Sequence, residues 1–138
     1  NAARKEMLNG KLLIDWANPY IYKDGQVAFD SMWSGTTSLG EETQNLLPDT
    51  KVVKTLNYLC NHLMVCPDCL PAPITGFYCG NDTGAKAEVA ALLKDFGWTD
   101  TLDLGDISMS RYTEMLGAFW VAALNATGNM DWGFKLVR

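Results

Sequence analysis

Phe77-Tyr78-Cys79-Gly80-Asn81-Asp82 runs directly into Thr83-Gly84-Ala85-Lys86-Ala87-Glu88-Val89. A short β-prone apolar run stops at Gly-Asn-Asp, and a segment of strong helix formers starts at once. Gly80 permits a tight backbone, and either Asn81 or Asp82 can cap the helix. This is a strand–turn–helix unit, and the same grammar recurs along the chain, which predicts an α/β fold of repeated βα units. The turn carries neither G-x-G-x-x-G nor a Walker loop, the usual phosphate cradles of such folds.

Downstream, Val89, Leu92, Leu93 and Phe96 fall at helical spacing, and Gly97 ends that helix. Thr101 to Gly105 reads as a short strand. From Ser110, the positions Tyr112, Met115, Leu116, Phe119, Trp120, Ala123 and Leu124 keep one helical face until Gly128, and Phe134 to Val137 reads as a terminal strand. Upstream, Ile74 to Cys79 is a strand, preceded by a Pro-rich connection from Cys66 to Pro73 and a weak helix from Leu56 to Val65. Lys51-Val52-Val53-Lys54-Thr55 is short and rich in β-branched residues, hence a strand. Ser38-Leu39-Gly40-Glu41 is a capping box opening a helix to about Leu47, with Glu41 expected to reach back to Ser38. Tyr20 to Thr37 reads as a long irregular loop, and Leu12 to Trp16 as a buried strand closed by Ala17-Asn18-Pro19. Lys5 to Leu8 is the tail of a helix capped by Asn9-Gly10.

The 138 residues fit one domain, and 48% hydrophobic with 20% charged residues is the balance of a globular chain. A net charge of −5 with scattered basic residues argues against nucleic acid as a partner. No apolar run approaches the roughly 20 residues that span a bilayer, so no membrane segment is expected. The chain starts at Asn1 without Met, and Asn1-Ala2 reads as a cloning remnant on a processed or subcloned piece. The four cysteines in an acidic chain with no leader-like start suggest a reducing, cytoplasmic setting.

Several blocks, taken in order, carry a family likeness. They are Leu12 to Pro19, Ser38 to Glu42, Val52 to Asn57, Cys79 to Asp82, Phe96 to Trp98, Asp103 to Asp106 and Phe134 to Arg138. Together they resemble the C-terminal portion of NADP-dependent oxidoreductases of the coenzyme F420 (deazaflavin) reductase type, and are similar to the reductase domains of the STEAP metalloreductases. The resemblance covers nearly the whole chain. It implies a partial Rossmann-like α/β fold: the second half of a doubly wound, mostly parallel sheet, helices on both faces, and a C-terminal helix plus strand. Residues 1–138 would then be a single domain. The Gly-rich half that holds the pyrophosphate and reads the 2′-phosphate is absent from this sequence. The resemblance implies NADP as cofactor of a longer parent and a flavin- or deazaflavin-like acceptor as its small-molecule partner. On this reading the isolated chain binds NADP poorly and is inactive.

Asn18 follows the carboxyl end of a strand, where open α/β sheets place ligands, and its amide matches the edge of a nicotinamide carboxamide. Read from the residues alone, Asn18-Pro19 is a turn; the resemblance makes Asn18 a cofactor residue, with Pro19 beside it and weaker support from Trp16 and Ala17. Asn57 ends the next strand in the same manner and is either a second wall of that pocket or a helix cap. Hydride transfer requires two rings in contact and water excluded, so no general acid or base is assigned. The stripe of Tyr112, Phe119 and Trp120 reads as core by spacing; the resemblance places Trp120 and Tyr112 near the acceptor ring. Lys54 could polarise a carbonyl but reads first as a solvated strand-end charge, and Glu114 beside Arg111 as an exposed helix face or a local ion pair.

Two other readings stand beside this one. Truncation would leave an unpaired sheet edge, making the chain a self-pairing module or homodimer. Cys66-Pro67-Asp68-Cys69 is a C-x-x-C, and Cys60, His62, Cys66 and Cys69 would make a Cys3His zinc set or a redox pair. Against the zinc set, Cys60 and His62 stand two apart on an expected helix and face different ways. His62 otherwise reads as a surface or half-buried structural residue.

Overall fold

The computed structural model describes residues 5–30 and 35–138, so the expectation for Asn1-Ala2 lies outside the described residues. Its strands are β1 (Leu12–Asp15), β2 (Tyr20–Lys23), β3 (Gln26–Phe29), β4 (Lys51–Thr55), β5 (Gly76–Gly80) and β6 (Thr101–Asp103). The helices are α1 (Leu39–Leu46), α2 (Asn61–Val65), α3 (Thr83–Asp95) and α4 (Ser110–Thr127). The main sheet has the order β1-β4-β5-β6. β1 pairs parallel with β4 and β5 parallel with β6, while β4 and β5 are antiparallel. This is the mixed α/β fold, mostly parallel and flanked by helices, that the sequence predicts.

Side chains alternate across a strand, so β4 serves both faces. Val53 is fully buried and joins Ala85, Val89 and Leu93 of α3, with Phe77 of β5, in the larger core cluster. Lys54 points the other way, toward α4 and α1. The β5–α3 turn resolves its cap: Asp82, in extended conformation, accepts the Ala85 N–H at 2.7 Å. Asn81 instead accepts from Ile107 N at 3.0 Å, tying the turn to the start of α4. Gly80 is needed for close approach, since a Cβ there would lie 2.6 Å from the Val52 carbonyl oxygen. α4 ends at Gly128, whose positive φ of 66° closes the helix onto the Leu124 carbonyl.

Three expectations are corrected. The segment from Tyr20 is not irregular: β2 and β3 form an antiparallel hairpin, Tyr20 opposite Phe29 and Lys23 opposite Gln26. Asp24 and Gly25 both have positive φ, as a two-residue hairpin turn demands. The weak helix from Leu56 shrinks to α2. Leu56, Tyr58, Leu59 and Cys60 are apolar because they cross the core in extended or turned conformations, not because they share a helical face. Residues 134–138 form no strand. Both edges of β5 are occupied by β4 and β6, so the tail reaches only Thr75 ahead of β5: Thr75 N donates to Phe134 O at 2.8 Å, and Leu136 N to Thr75 Oγ1 at 3.0 Å.

Asp100 anchors that tail, accepting from Lys135 Nζ at 2.7 Å, Arg138 Nη2 at 2.7 Å and Thr75 Oγ1 at 2.6 Å. The Lys135 hydrogen bond, then that of Thr75, lowers the Asp100 carboxyl to about 2. A depressed carboxylate stabilises the fold above its unfolded value and loses that contribution as pH falls through the folded one. A carbon-detected NMR titration should give Asp100 a midpoint near 2, moving upward in Lys135→Ala. A midpoint at the ordinary aspartate value in the parent chain would refute the anchor.

Candidate functional site

β1 and β4 run parallel, so their carboxyl ends open on the same side and deliver Asn18 and Asn57 together. Leu56, with a positive φ of 60°, turns the chain sharply at the end of β4 and swings Asn57 inward. Asn57 Nδ2 donates to Asn18 Oδ1 at 2.9 Å and to the Thr113 carbonyl of α4 at 2.9 Å. In return Asn18 Nδ2 donates to the main-chain carbonyl of Asn57 and, at 3.1 Å, to the Tyr20 hydroxyl. The Tyr20 hydroxyl in turn donates to the Gly117 carbonyl at 3.1 Å. α4 can approach this closely only because residue 117 is glycine: a Cβ there would stand 2.8 Å from Asn18 Oδ1. The Tyr20 hydroxyl end is enclosed although part of the ring is exposed, and that burial pushes its phenol up to about 12.

One atom of this set stands out. Asn57 is 3% exposed, and its Oδ1 is buried without a hydrogen-bond partner among the described residues. An orphaned buried carbonyl is costly and marks a place where a donor fits. Pro19 is buried beside the pair, its carbonyl accepting from Asp30 N at 2.8 Å. Trp16 is exposed at the mouth of β1.

Trp120 and Tyr112 are not part of this hydrogen-bonded group. Trp120 is buried with Cys60, Leu63 and Val121 and stacks on Trp132 at 6.4 Å, whereas Tyr112 is 57% exposed on α4. A groove of about 560 Å³ lies beyond the opposite end of β4, lined by Gln44, Asp49, Lys51 and Asp82 among others.

Beneath the asparagines lies a charged network that the sequence reading missed. Lys54 is fully buried rather than solvated, and its Nζ lies 2.9 Å from Asp15 Oδ2 and 3.0 Å from Glu114 Oε1. It also donates to the Ala17 carbonyl at 2.5 Å, fixing the chain immediately before Asn18. Glu114 is likewise buried, not on an exposed face: its two oxygens accept from the Leu39 and Gly40 N–H groups at 3.0 Å each. Two carboxylates face one ammonium, and the N-terminus of α1 supplies the remaining positive field. Arg111 does not pair with Glu114. It grips Glu41 through Nε at 2.7 Å and Nη2 at 2.5 Å, and these bonds hold the Glu41 carboxyl below its usual range. Ser38 caps α1 by accepting from Glu41 N at 3.1 Å, but Glu41 turns to Arg111 and the Ser38 hydroxyl instead of reaching back to the backbone.

The sequence did carry a signal for Lys54. It interrupts a β-branched run of the kind buried on both sides, where a charge must be paired. Its partner, Asp15, is the residue opposite it in the β1–β4 register.

The Cys3His set does not assemble. His62 Nε2 lies 3.0 Å from Asp131 Oδ1 at the surface, Cys60 is buried, and Cys66 is disulfide-bonded to Cys69.

A mostly parallel α/β sheet flanked by helices matches a Rossmann-like reductase fold. The chain is 28% identical over 112 residues to the F420-dependent NADP reductase of Methanocaldococcus jannaschii, covering 81% of this chain and 50% of that protein. It superposes on the crystal structure of a protein assigned as an F420-dependent NADP reductase from Arthrobacter sp. FB24 with a TM-score of 0.90. That match has 43% identity and covers 99% of this chain and 62% of the other. A hypothetical protein from Sinorhizobium meliloti, 24% identical with a TM-score of 0.55, shares the fold over 74% of the chain. No family model matches. The chain is thus similar in sequence and fold to these reductases, and spans about half to three fifths of their length. Among the described residues no helix is long and apolar enough to cross a membrane.

Proposed function

We propose that this chain forms the nicotinamide and acceptor side of an NADP-dependent oxidoreductase whose longer parent transfers a hydride between NADP(H) and a flavin- or deazaflavin-like acceptor. The observation that carries this reading is the Asn18–Asn57 pair at the carboxyl ends of adjacent parallel strands, with Asn57 Oδ1 buried and unpartnered. The names of the relatives, F420-dependent NADP reductases, support the cofactor and the acceptor class.

The residues fit the NH2 group of a carboxamide. Asn57 Oδ1 would accept from it, and the second lone pair of Asn18 Oδ1 offers a further acceptor. Pro19 and the backbone of α4 at Gly117 close the back of the site against water. The bound nicotinamide would carry the hydride given up or received; the protein positions the ring and excludes solvent. Lys54, through the Ala17 carbonyl, holds the segment that carries Asn18 and acts as a positioning residue. We place Trp120 as a buried prop beneath the acceptor side and the exposed Tyr112 as the residue nearer to its ring.

A second reading concerns assembly. β1 is an edge strand of the main sheet, and its outer edge is where a preceding nucleotide-binding half, or another copy of the chain, would pair. The first pairing completes an enzyme; the second gives a homodimer without activity. Light scattering separates them, since a monomer at high concentration counts against self-pairing.

In the longer parent, Asn18→Ala should lower NADPH turnover about tenfold, the loss of one well-placed hydrogen bond, with the fold retained. Unchanged turnover removes Asn18 from the site. Calorimetry should detect NADPH binding by the longer protein and little by residues 1–138 alone. Tight binding by the short chain would refute the division of labour.

A further inference from the structure

Independently of that reading, we propose that Cys66 and Cys69 form a thiol–disulfide exchange site open to thiols in solution. The two residues flank the single turn Pro67–Cys69 and are bonded to each other, with their Cα atoms 5.5 Å apart. A bond spanning three residues removes little loop entropy from the unfolded chain, so it is a poor structural staple. The turn holds its shape by other means. Pro67 is buried, with its ring against Gly97; Cys69 N donates to Cys66 O at 3.1 Å; and Leu70 packs on both core clusters. After reduction this frame keeps the two sulfurs as neighbours, and the bond can re-form.

The two sulfurs are not equivalent. Cys69 is exposed, whereas Cys66 is half-buried with Asp68 Oδ1 3.3 Å from its Sγ. The Asp68 carboxylate lies within 4.8 Å of both sulfurs, so the greater exposure of Cys69 makes it the point of attack. A groove of about 200 Å³, lined by Asp68 and Leu70, the chain neighbours of Cys69, with Pro67, Pro71, Pro73 and Ile74, gives room for the carrier of the attacking thiol. The other two cysteines take no part. Cys60 and Cys79 are buried, and burial pushes the Cys79 thiol up to about 12.

The exchange balances with a dithiol as reductant. Its thiolate attacks Cys69 Sγ, the Cys66–Cys69 bond breaks, and the electron pair passes to Cys66 Sγ, which takes a proton from water and donates it in a hydrogen bond to Asp68. The second thiol of the reductant then attacks the mixed disulfide. Cys69 is released and protonated, and the reductant leaves as its own disulfide. Two electrons and two protons move to the protein.

The test equilibrates residues 1–138 with graded ratios of reduced and oxidised dithiothreitol, quenches with a mass-tagging alkylating agent and maps the tags. Two tags should appear together, on Cys66 and Cys69, with Cys60 and Cys79 untagged and the circular dichroism unchanged. Cys66→Ser should take up one glutathione at Cys69 from oxidised glutathione, and Cys69→Ser should take it up at Cys66 about tenfold more slowly. Tags that appear only when the protein unfolds, a pair that stays reduced in fully oxidised buffer, or equal rates in the two variants would each overturn the proposal.

Discussion

Lys54→Met is expected to lower the free energy of unfolding by about 3–5 kcal/mol, read from urea denaturation at neutral pH. The methionine fills the channel of the lysine stem, so packing alone does not cause the loss. The loss comes from Asp15 and Glu114, left buried with no ammonium between them. Removing one carboxylate as well should recover part of the loss. Lys54→Met combined with Glu114→Gln should therefore be more stable than the sum of the two single changes, with a coupling above about 0.5 kcal/mol. Strict additivity would mean that the three groups do not act as one network.

Trp98→Ala should cost a comparable amount, about 3–5 kcal/mol. Trp98 is 3% exposed and seals the end of α3 over β5, and its Nε1 donates to the Met64 carbonyl at 3.0 Å. The indole lies so close to Gly76 that a Cβ there would meet ring carbon Cε3 at 2.8 Å. Gly76→Ala in the parent chain should accordingly destabilise by about 1–3 kcal/mol through crowding. In the Trp98→Ala background the same methyl enters the vacated space, so the two costs should not add. Thermal melts of the four proteins decide it, and additive shifts would refute the contact.

What the sequence revealed and what it concealed follow from how local each signal is. The β5–α3 unit was legible because strand composition, turn and cap sit within a dozen adjacent residues. The β2–β3 hairpin was equally local, and its signal was present: Asp24-Gly25 between Tyr-Ile-Tyr-Lys and Gln-Val-Ala-Phe is a strong two-residue turn signature. Reading Tyr20 to Thr37 as one long irregular loop hid it. The tail was misread because Phe134-Lys135-Leu136-Val137 has strand composition, yet whether a strand forms depends on a free neighbouring edge, which composition does not report.

At the site, Asn18 and Asn57 were legible as strand-end residues, but not their bonds to each other. That pairing depends on Leu56 adopting a left-handed turn and on Gly117 admitting α4 at close range. Lys54 and Glu114 were misjudged for a related reason. A charge is solvated by default, and what makes burial tolerable here is a partner 39 residues away on one strand and another on a helix much later in the chain.

That last dependence orders events on the ribosome. β1 and β4 leave the exit tunnel well before Glu114 is translated, so Lys54 then has only one of its two carboxylates. The strands can pair, yet the face that α4 covers stays open and wet until the last quarter of the chain arrives. A nascent chain stopped short of Ser110 should leave that face uncovered, and its closure waits until α4 has left the tunnel.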